Sequence, residues 1–339
     1  MLNFCTLFNT YYLAKGLALY YSLEKSCQSF HLYVFAFDDT TYQFLSEKKL
    51  QHCTIINQKE FENEALLSVK KERSLAEYCW TCTPFTVKYC LEKFNLTNCT
   101  YLDADTYFYQ DPNSLYNQIG DNSVLITPHN YHPSYDQTAM SGIYCVQFTS
   151  FKKDDNGLKV LNWWANACLK WCKSIYEDGK FGDQKYLDSW AYMFDGVYVT
   201  MDKGAGLAPW NAINYKFSQV DDGFTVDGEP LIFYHFHDLK HLSNGEWYIG
   251  GYSIPQEVLT NIYLPYINLL KNIQQEVEKK LGRVDALGTT DIKKITDRKL
   301  KYKLGIYKMD VEKALIQFIG SLFFSTRRKY YSANYIKIK

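Results

Sequence analysis

The chain has 339 residues, enough for one large α/β domain with an appendage, or for two domains of about 150 residues each. Hydrophobic residues make up 47% and charged residues 22%, an ordinary balance for a protein with a substantial core, which argues against disorder. The 37 Lys and Arg balance the 37 Asp and Glu, so no general attraction to nucleic acid is expected.

In chain order, residues 3–8 form a short apolar run, residues 12–25 carry helical periodicity, and FHLYVFAF at 30–37 reads as a strand that stops on Asp38-Asp39. This is a β-α-β opening. Asp38 and Asp39 can cap the next helix or meet a ribose, and capping is the simpler role. The end of the first strand offers Thr6, Asn9 and Tyr11, an amide to read a base edge and an aromatic to stack on it; an ordinary loop would serve as well. A second helix is predicted near 75–93, followed by the strand CTYLDAD, whose end carries Asp103 and Asp105. Open parallel sheets bind ligands at such carboxyl ends.

From residue 123 the predicted order is a strand VLITP, a strand IYCVQF at 143–148, an amphipathic helix over 156–176 and a shorter helix over 184–194. Trp163, Trp164 and Trp171 in the longer helix are expected in the core. A strand VYVT and a Gly- and Pro-bearing loop GAGLAPWN follow, where Trp210 can pack in the core or hold a sugar face. A hairpin near 226–228 and the strand LIFYHFH come next. Past Pro255 the pattern turns helical, with a long amphipathic helix over 256–281 and an apolar-rich one over 310–325. The expected division is therefore 1–255 and 256–339.

No stretch approaches about 18 uninterrupted apolar residues, so no spanning helix is expected. MLNFCTLFNTYY lacks a basic start and a long apolar segment, so the ten cysteines are expected to be reduced thiols of a cytoplasmic protein. Cys79 and Cys82 have no second pair at zinc spacing, and they lie in a helical pattern.

Hard divalent cations such as Mn²⁺ or Mg²⁺ take carboxylate oxygens and share their remaining positions with water and phosphate, and a strand-end Asp-x-Asp supplies such a half-shell. The run Thr100-Tyr-Leu-Asp-Ala-Asp-Thr106 resembles the metal-binding motif of GT-A glycosyltransferases, in particular the glycogenin and lipopolysaccharide galactosyltransferase group. Three later segments agree in order. Ser141-Gly-Ile-Tyr-Cys-Val-Gln147 is similar to the group's N-A-G-x-x-x-N strand, with only Gly142 matching cleanly. Gly182-Asp-Gln-Lys-Tyr-Leu187 resembles the D-Q-x-x-L segment that lies beside the donor sugar. His235-Phe-His-Asp-Leu-Lys240 resembles the segment whose imidazole completes the metal shell and whose lysine nears the diphosphate, with Asp238 in place of the usual Gly.

The resemblance covers roughly residues 3–245. It implies a GT-A-like, Rossmann-type nucleotide-diphospho-sugar transferase domain with a helical C-terminal appendage. It further implies a UDP-sugar donor, a glycan or lipid-linked saccharide acceptor, and retention of anomeric configuration. Asp103 and Asp105 would hold Mn²⁺ or Mg²⁺ with His235 or His237, His235 being the one that aligns with the leading His. Asp183 and Gln184 would act at the donor sugar, although Asp183 can equally cap a helix. Thr6, Asn9, Tyr11, Gly142 and Lys240 would bind the nucleotide portion. The chemistry is consistent, because breaking a glycosyl phosphate bond leaves charge on a diphosphate that a cation and a lysine stabilise. A sugar nucleotidyltransferase would open with a Gly-rich phosphate loop, which is missing after the first strand, and a glycan-binding module would not need the acidic pair. From Asp291 to Lys339 there are thirteen Lys or Arg against four Asp or Glu, and the predicted helix there has an apolar face. That tail is expected to meet an anionic membrane surface, placing the protein on the cytoplasmic face of the inner membrane.

Overall fold

A computed structural model describes residues 1–221 and 223–295 and the backbone of 335–336. Its centre is a seven-stranded sheet built from β1 (Leu2–Phe8), β2 (Phe30–Ala36), β3 (Cys53–Asn57), β4 (Asn98–Leu102), β6 (Val124–Pro128), β7 (Tyr144–Lys152) and β8 (Val197–Val199). The short β5 (Thr106–Phe108) lies outside it. The strand order is β3-β2-β1-β4-β7-β6-β8. β1 pairs in parallel with β2 and β4, whereas β7 runs antiparallel to both β4 and β6. β1 is buried along its whole length, as the apolar run LNFCTLF requires of a strand covered on both faces.

Helices α1 (Leu13–Ser26), α2 (Asp39–Lys48), α3 (Leu75–Lys93), α4 (Asp155–Lys170) and α5 (Leu264–Leu281) cover the sheet. One core holds α1, β2 residues and α5; the other holds α3 and α4 with Phe151, Trp164 and Trp190. The Asp38 carboxylate accepts the Thr41 N–H at 2.7 Å, so it caps α2. Ser74 and Glu77 form a capping box at the start of α3. Small ribbons complete the body: β9 (Phe217–Val220), β10 (Gly223–Val226) and β11 (Glu229–Pro230) in one, β12 (Phe233–His235) against β5, and β13 (Leu239–His241), β14 (Trp247–Ile249) and β15 (Tyr335–Ile336) in a third. The predicted hairpin sits at Asp227-Gly228, both with positive φ, as a tight I′-type turn requires.

Several elements differ from their predicted bounds. The strand CTYLDAD ends at Leu102, and Asp103 to Asp105 form a turn. Only Phe233–His235 of LIFYHFH is strand. Helix α4 stops at Lys170 rather than 176, because Arg73 takes the carbonyls of Leu169 and Cys172 and Trp171 turns extended. The segment 184–194 is a 3₁₀ turn, Lys185–Ser189, followed by one helical turn. The predicted helix over 310–325 lies outside the described residues.

The boundary expected at 255 falls just before the helices that lead into α5, and the residues on its two sides share a core. Tyr266, Ile267, Leu270, Ile273 and Val277 of α5 are buried in the cluster that contains Leu13, Leu17 and Phe236. Leu270→Ala is therefore expected to cost about 2–5 kcal/mol in urea denaturation. A loss below half a kcal/mol would mean that α5 does not belong to this core.

Candidate active site

The chain leaves β1 toward β2 and β3 on one side and returns to β4 on the other. The loops after β1 and β4 therefore diverge at a switch point, the crevice where open α/β sheets take their ligands. The first loop carries Asn9 to Tyr12. The second is the acidic turn, held tight because the Thr106 N–H and Oγ1–H both donate to the Asp103 carbonyl, at 3.1 and 2.8 Å. β5 then pairs with β12, setting Thr106 opposite His235, and the Phe236 N–H donates to the Asp105 carbonyl at 2.8 Å. Backbone pairing alone thus delivers His235 to the acidic turn.

His235 Nε2 lies 3.1 Å from Asp105 Oδ1 and 3.8 Å from Asp103 Oδ2. Its Nδ1–H donates to Gln147 Oε1 at 2.8 Å, and Gln147 Nε2 donates to Thr127 Oγ1 at 3.3 Å. Because Gln147 Oε1 can only accept, Nδ1 keeps its proton and Nε2 is the nitrogen turned to the carboxylates. Lys15, on the first turn of α1, is 5% exposed and stands 3.5 Å from Asp105 Oδ2, its ammonium 4.4 Å from the Tyr12 ring centre.

This burial sets the charges. It opposes ionisation of His235, but the Asp105 charge and hydrogen bond outweigh it and raise the imidazole well above its ordinary range. Burial pushes Asp105 up too, yet His235 and Lys15 overcome it and hold that carboxyl far below the usual range. Asp103 has no such lysine; burial lifts it to about 6 against the pull of His235. Two carboxylates and one imidazole nitrogen converging at these separations fit a Mn²⁺ or Mg²⁺ ion, which takes carboxylate oxygens and tolerates imidazole.

The other predicted residues are distributed unevenly. Asp183 is buried beyond α4, and its carbonyl accepts the Trp164 indole N–H at 2.9 Å. The following 3₁₀ turn has no side-chain cap, so Asp183 does not serve as its helix cap. Gln184 is half-buried beside it. Gly142 has φ 103°, and a Cβ there would meet Asp188 Oδ1 at 2.8 Å, so a side chain is excluded on both counts. The Ile143 N–H donates to that same Asp188 oxygen at 2.7 Å.

Thr6 is fully buried and its hydroxyl has no partner, Asn9 is half-buried, and Tyr11 is exposed. His237 is exposed, its ring centre 5.8 Å from that of His235, and it takes no part in the close carboxylate contacts of His235. Lys240 pairs with Asp238, and Asp238 itself adopts φ 59°, the left-handed region that suits the motif's Gly and that Asp also tolerates. Trp210 is buried, with its indole N–H donating to the His129 carbonyl at 2.8 Å and its ring centre 5.4 Å from His235. It backs the imidazole from the core side. Sequence reasoning gave no site role to Lys15, and Gln147 entered it only as the last position of the segment 141–147. Lys15 left one signal, as the lone charged side chain between Met1 and Leu23.

No protein-family model matches the chain. Two Bacillus subtilis proteins, both described only as uncharacterized, are similar to it. YfnF is 34% identical over 252 residues, which span 72% of this chain and 83% of YfnF. YfnD is 31% identical over 288 residues, spanning 81% of this chain and 91% of YfnD. Among solved structures, the galactosyltransferase LgtC in complex with donor and acceptor sugar analogs superposes with a TM-score of 0.50 at 11% identity, covering 81% of this chain and 100% of LgtC. That likeness shows the fold, which is of the GT-A type.

Asp183 generates a pH prediction. Burial, with the Asp103 charge added, raises its carboxyl from an ordinary 3.8 to about 7. Between those values the folded protein holds a proton that the unfolded chain has released. The group's contribution to stability is therefore fully present below 3.8 and is lost as the pH rises through about 7. Asp183→Asn should flatten this slope and leave the variant more stable than the parent at pH 8, by an order of a few kcal/mol. Parallel stability profiles of the two proteins in urea would exclude a raised Asp183.

Proposed function

We propose, for this chain, which belongs to one family with YfnF and YfnD of Bacillus subtilis, a metal-dependent glycosyl transfer from a nucleotide-sugar of the UDP class to a saccharide hydroxyl. One observation carries the proposal: Asp103, Asp105 and His235 meet at the switch point of a GT-A-type sheet. Such a set is suited to a diphosphate donor, because the sheet's crevice accepts a nucleotide and the carboxylates accept a cation.

When bound, Mn²⁺ or Mg²⁺ would neutralise charge on the diphosphate as the sugar leaves. Asp103, Asp105 and His235 would hold the ion, and Gln147 keeps Nε2 of His235 directed at it. Lys15 and Lys240 are already within reach of carboxylates at the site, and each can exchange that partner for phosphate oxygen. Asn9 and Tyr11 would receive the base, Thr6 would lie beneath it, and Gly142 would let the backbone come close to the nucleotide portion. Asp183 and Gln184 would sit at the sugar end, where an ionised or polar oxygen stabilises the oxocarbenium-like carbon. The resemblance to the glycogenin-type group supports retention of configuration. The saccharide acceptor would be part of a growing glycan or lipid-linked.

Release of UDP from a panel of UDP-sugars with Mn²⁺ tests this reading. We expect Asp103→Ala, Asp105→Ala and His235→Ala each to lose at least about a hundredfold in kcat/KM, roughly the loss on removing one strong transition-state contact. Gln184→Ala should lower kcat with little change in UDP binding. Full activity of either Asp variant, with EDTA without effect, sinks the proposal. A sugar nucleotidyltransferase would release pyrophosphate instead, and a binding module would release neither.

We further propose that the basic region 291–339 brings the protein to an anionic membrane on the cytoplasmic side. Among the described residues no helix is long and apolar enough to cross a membrane. The charge excess supports this, each cation contributing up to about 1 kcal/mol near such a surface. Co-sedimentation with anionic vesicles should occur at low salt and vanish at high salt; protein that stays in the supernatant at low salt contradicts it.

A further inference from the structure

Resting on the metal site proposed above, we propose that Cys145 is a ligand of the same cation, so that the site offers sulfur as well as oxygen and nitrogen. The Cys145 Sγ, a His235 ring nitrogen and an Asp103 carboxylate oxygen all lie within 4.8 Å of one another. That is the span of ligands around one shared ion. Cys145 is on β7, two residues before Gln147, and both side chains reach His235. The strand therefore presents two groups to His235: Gln147 from behind, at Nδ1, and Cys145 in the neighbourhood of the carboxylate.

Cys145 is also buried beside Ala208 and Trp210, so a core role is the simpler alternative. What sets it apart from ordinary core packing is that the groups within reach of its sulfur include a carboxylate and an imidazole. Neither is an apolar neighbour, and both are metal ligands by type. Asp105 reaches Lys15 through Oδ2 and His235 through Oδ1, so Cys145 would join Asp103, Asp105 and His235 in holding the ion. On binding, the thiol proton passes to solvent and the thiolate joins the shell.

A thiolate changes which metal is favoured. Carboxylate oxygen suits Mg²⁺ and Mn²⁺, whereas sulfur favours Zn²⁺ and Co²⁺. The site would then discriminate against Mg²⁺ more strongly than an oxygen and nitrogen set does.

Co²⁺ titration of the full-length, metal-free protein tests this by a readout other than activity. Thiolate ligation gives a near-ultraviolet sulfur-to-cobalt charge-transfer band. Cys5, Cys90 and Cys99 also converge elsewhere in the core, so the band must be assigned with a variant. Cys145→Ser should remove the band while calorimetry still detects Co²⁺, and Zn²⁺ affinity should fall by at least about tenfold with Mg²⁺ affinity unchanged. Cys145→Ala provides a second variant should the serine hydroxyl disturb the strand. Co²⁺ binding to the parent without the band, or a band that survives both substitutions, overturns the role of Cys145 and leaves the Asp and His site standing. Failure of the parent to bind Co²⁺ at all overturns both.

Discussion

The Nδ1–H of His235 donates to Gln147 Oε1 at 2.8 Å while the carbonyl of the same Gln147 accepts the Asp103 N–H at 3.2 Å, and the rest of the site depends on that shared residue. One side of Gln147 belongs to the β4–β7 ladder, which fixes where the acidic turn begins. Its side chain belongs to the imidazole, which arrives on β12 from more than eighty residues further along the chain. Two backbone ladders alone would bring His235 near the turn but would leave its ring free to rotate. The amide supplies the missing constraint, because it can only accept at Oε1, and Thr127 occupies its nitrogen. Orientation of a ligand by a neighbour of this kind is what gives a metal site its selectivity and affinity.

That arrangement gathers more negative charge than a protein interior tolerates unaided. Asp103, Asp105 and Asp183 are all affected by burial, and each meets a different remedy. Asp105 has Lys15 and His235 and stays ionised. Asp103 shares only His235 and is lifted to about 6, while Asp183 has no cation among its partners and is lifted to about 7. The gradient runs from a carboxylate ready to hold a cation to a carboxyl whose charge depends on its surroundings. A dication near Asp103 would lower both of the raised groups, since the Asp103 charge helps to lift Asp183.

The sheet was largely legible because its strands are apolar over their whole length and its helices keep a clear period. LNFCTLF, FHLYVFA and the helix from Leu75 were readable from pattern alone, and the carboxylates at the strand ends marked the crevice. Residues 39–70 were not, since β3 is a half-buried edge strand and the helices after it are short. The acidic turn was read as strand because Asp-Ala-Asp interrupts β4 and β5 by only three residues. The site was legible to the extent that its residues are polar and sit in local motifs, as with Asp103, Asp105 and His235. Lys15 and Gln147 acquire their roles only from neighbours distant in sequence, a helix start meeting a turn and one strand meeting another. Cys145 reads in sequence as one more apolar residue of a buried strand, and nothing short of the folded chain sets it beside a carboxylate.

The same tertiary logic applies to the region after residue 255, which composition describes as an appendage. Helix α5 fills the core beneath α1, and the chain beyond it returns to the start of α1: the Ala14 N–H donates to the Ala286 carbonyl at 3.0 Å. Gly288, at φ 63°, passes so close to Tyr11 that a Cβ would stand 2.5 Å from the Tyr11 carbonyl. The loop carrying Asn9, Tyr11 and Tyr12 is therefore held from two sides. Asp38 accepts from the Thr10 N–H and hydroxyl at 2.8 Å on one side, and the segment around Ala286 to Gly288 presses on the other. A loop ordered beforehand in this way loses less entropy when it binds a partner. Lys15 follows directly on that loop, so whatever fixes Tyr11 and Tyr12 also fixes the ammonium beside Asp105. The segment after α5 is in this respect part of the support of the loop over residues 9–12, and the basic stretch from Asp291 begins a few residues beyond it.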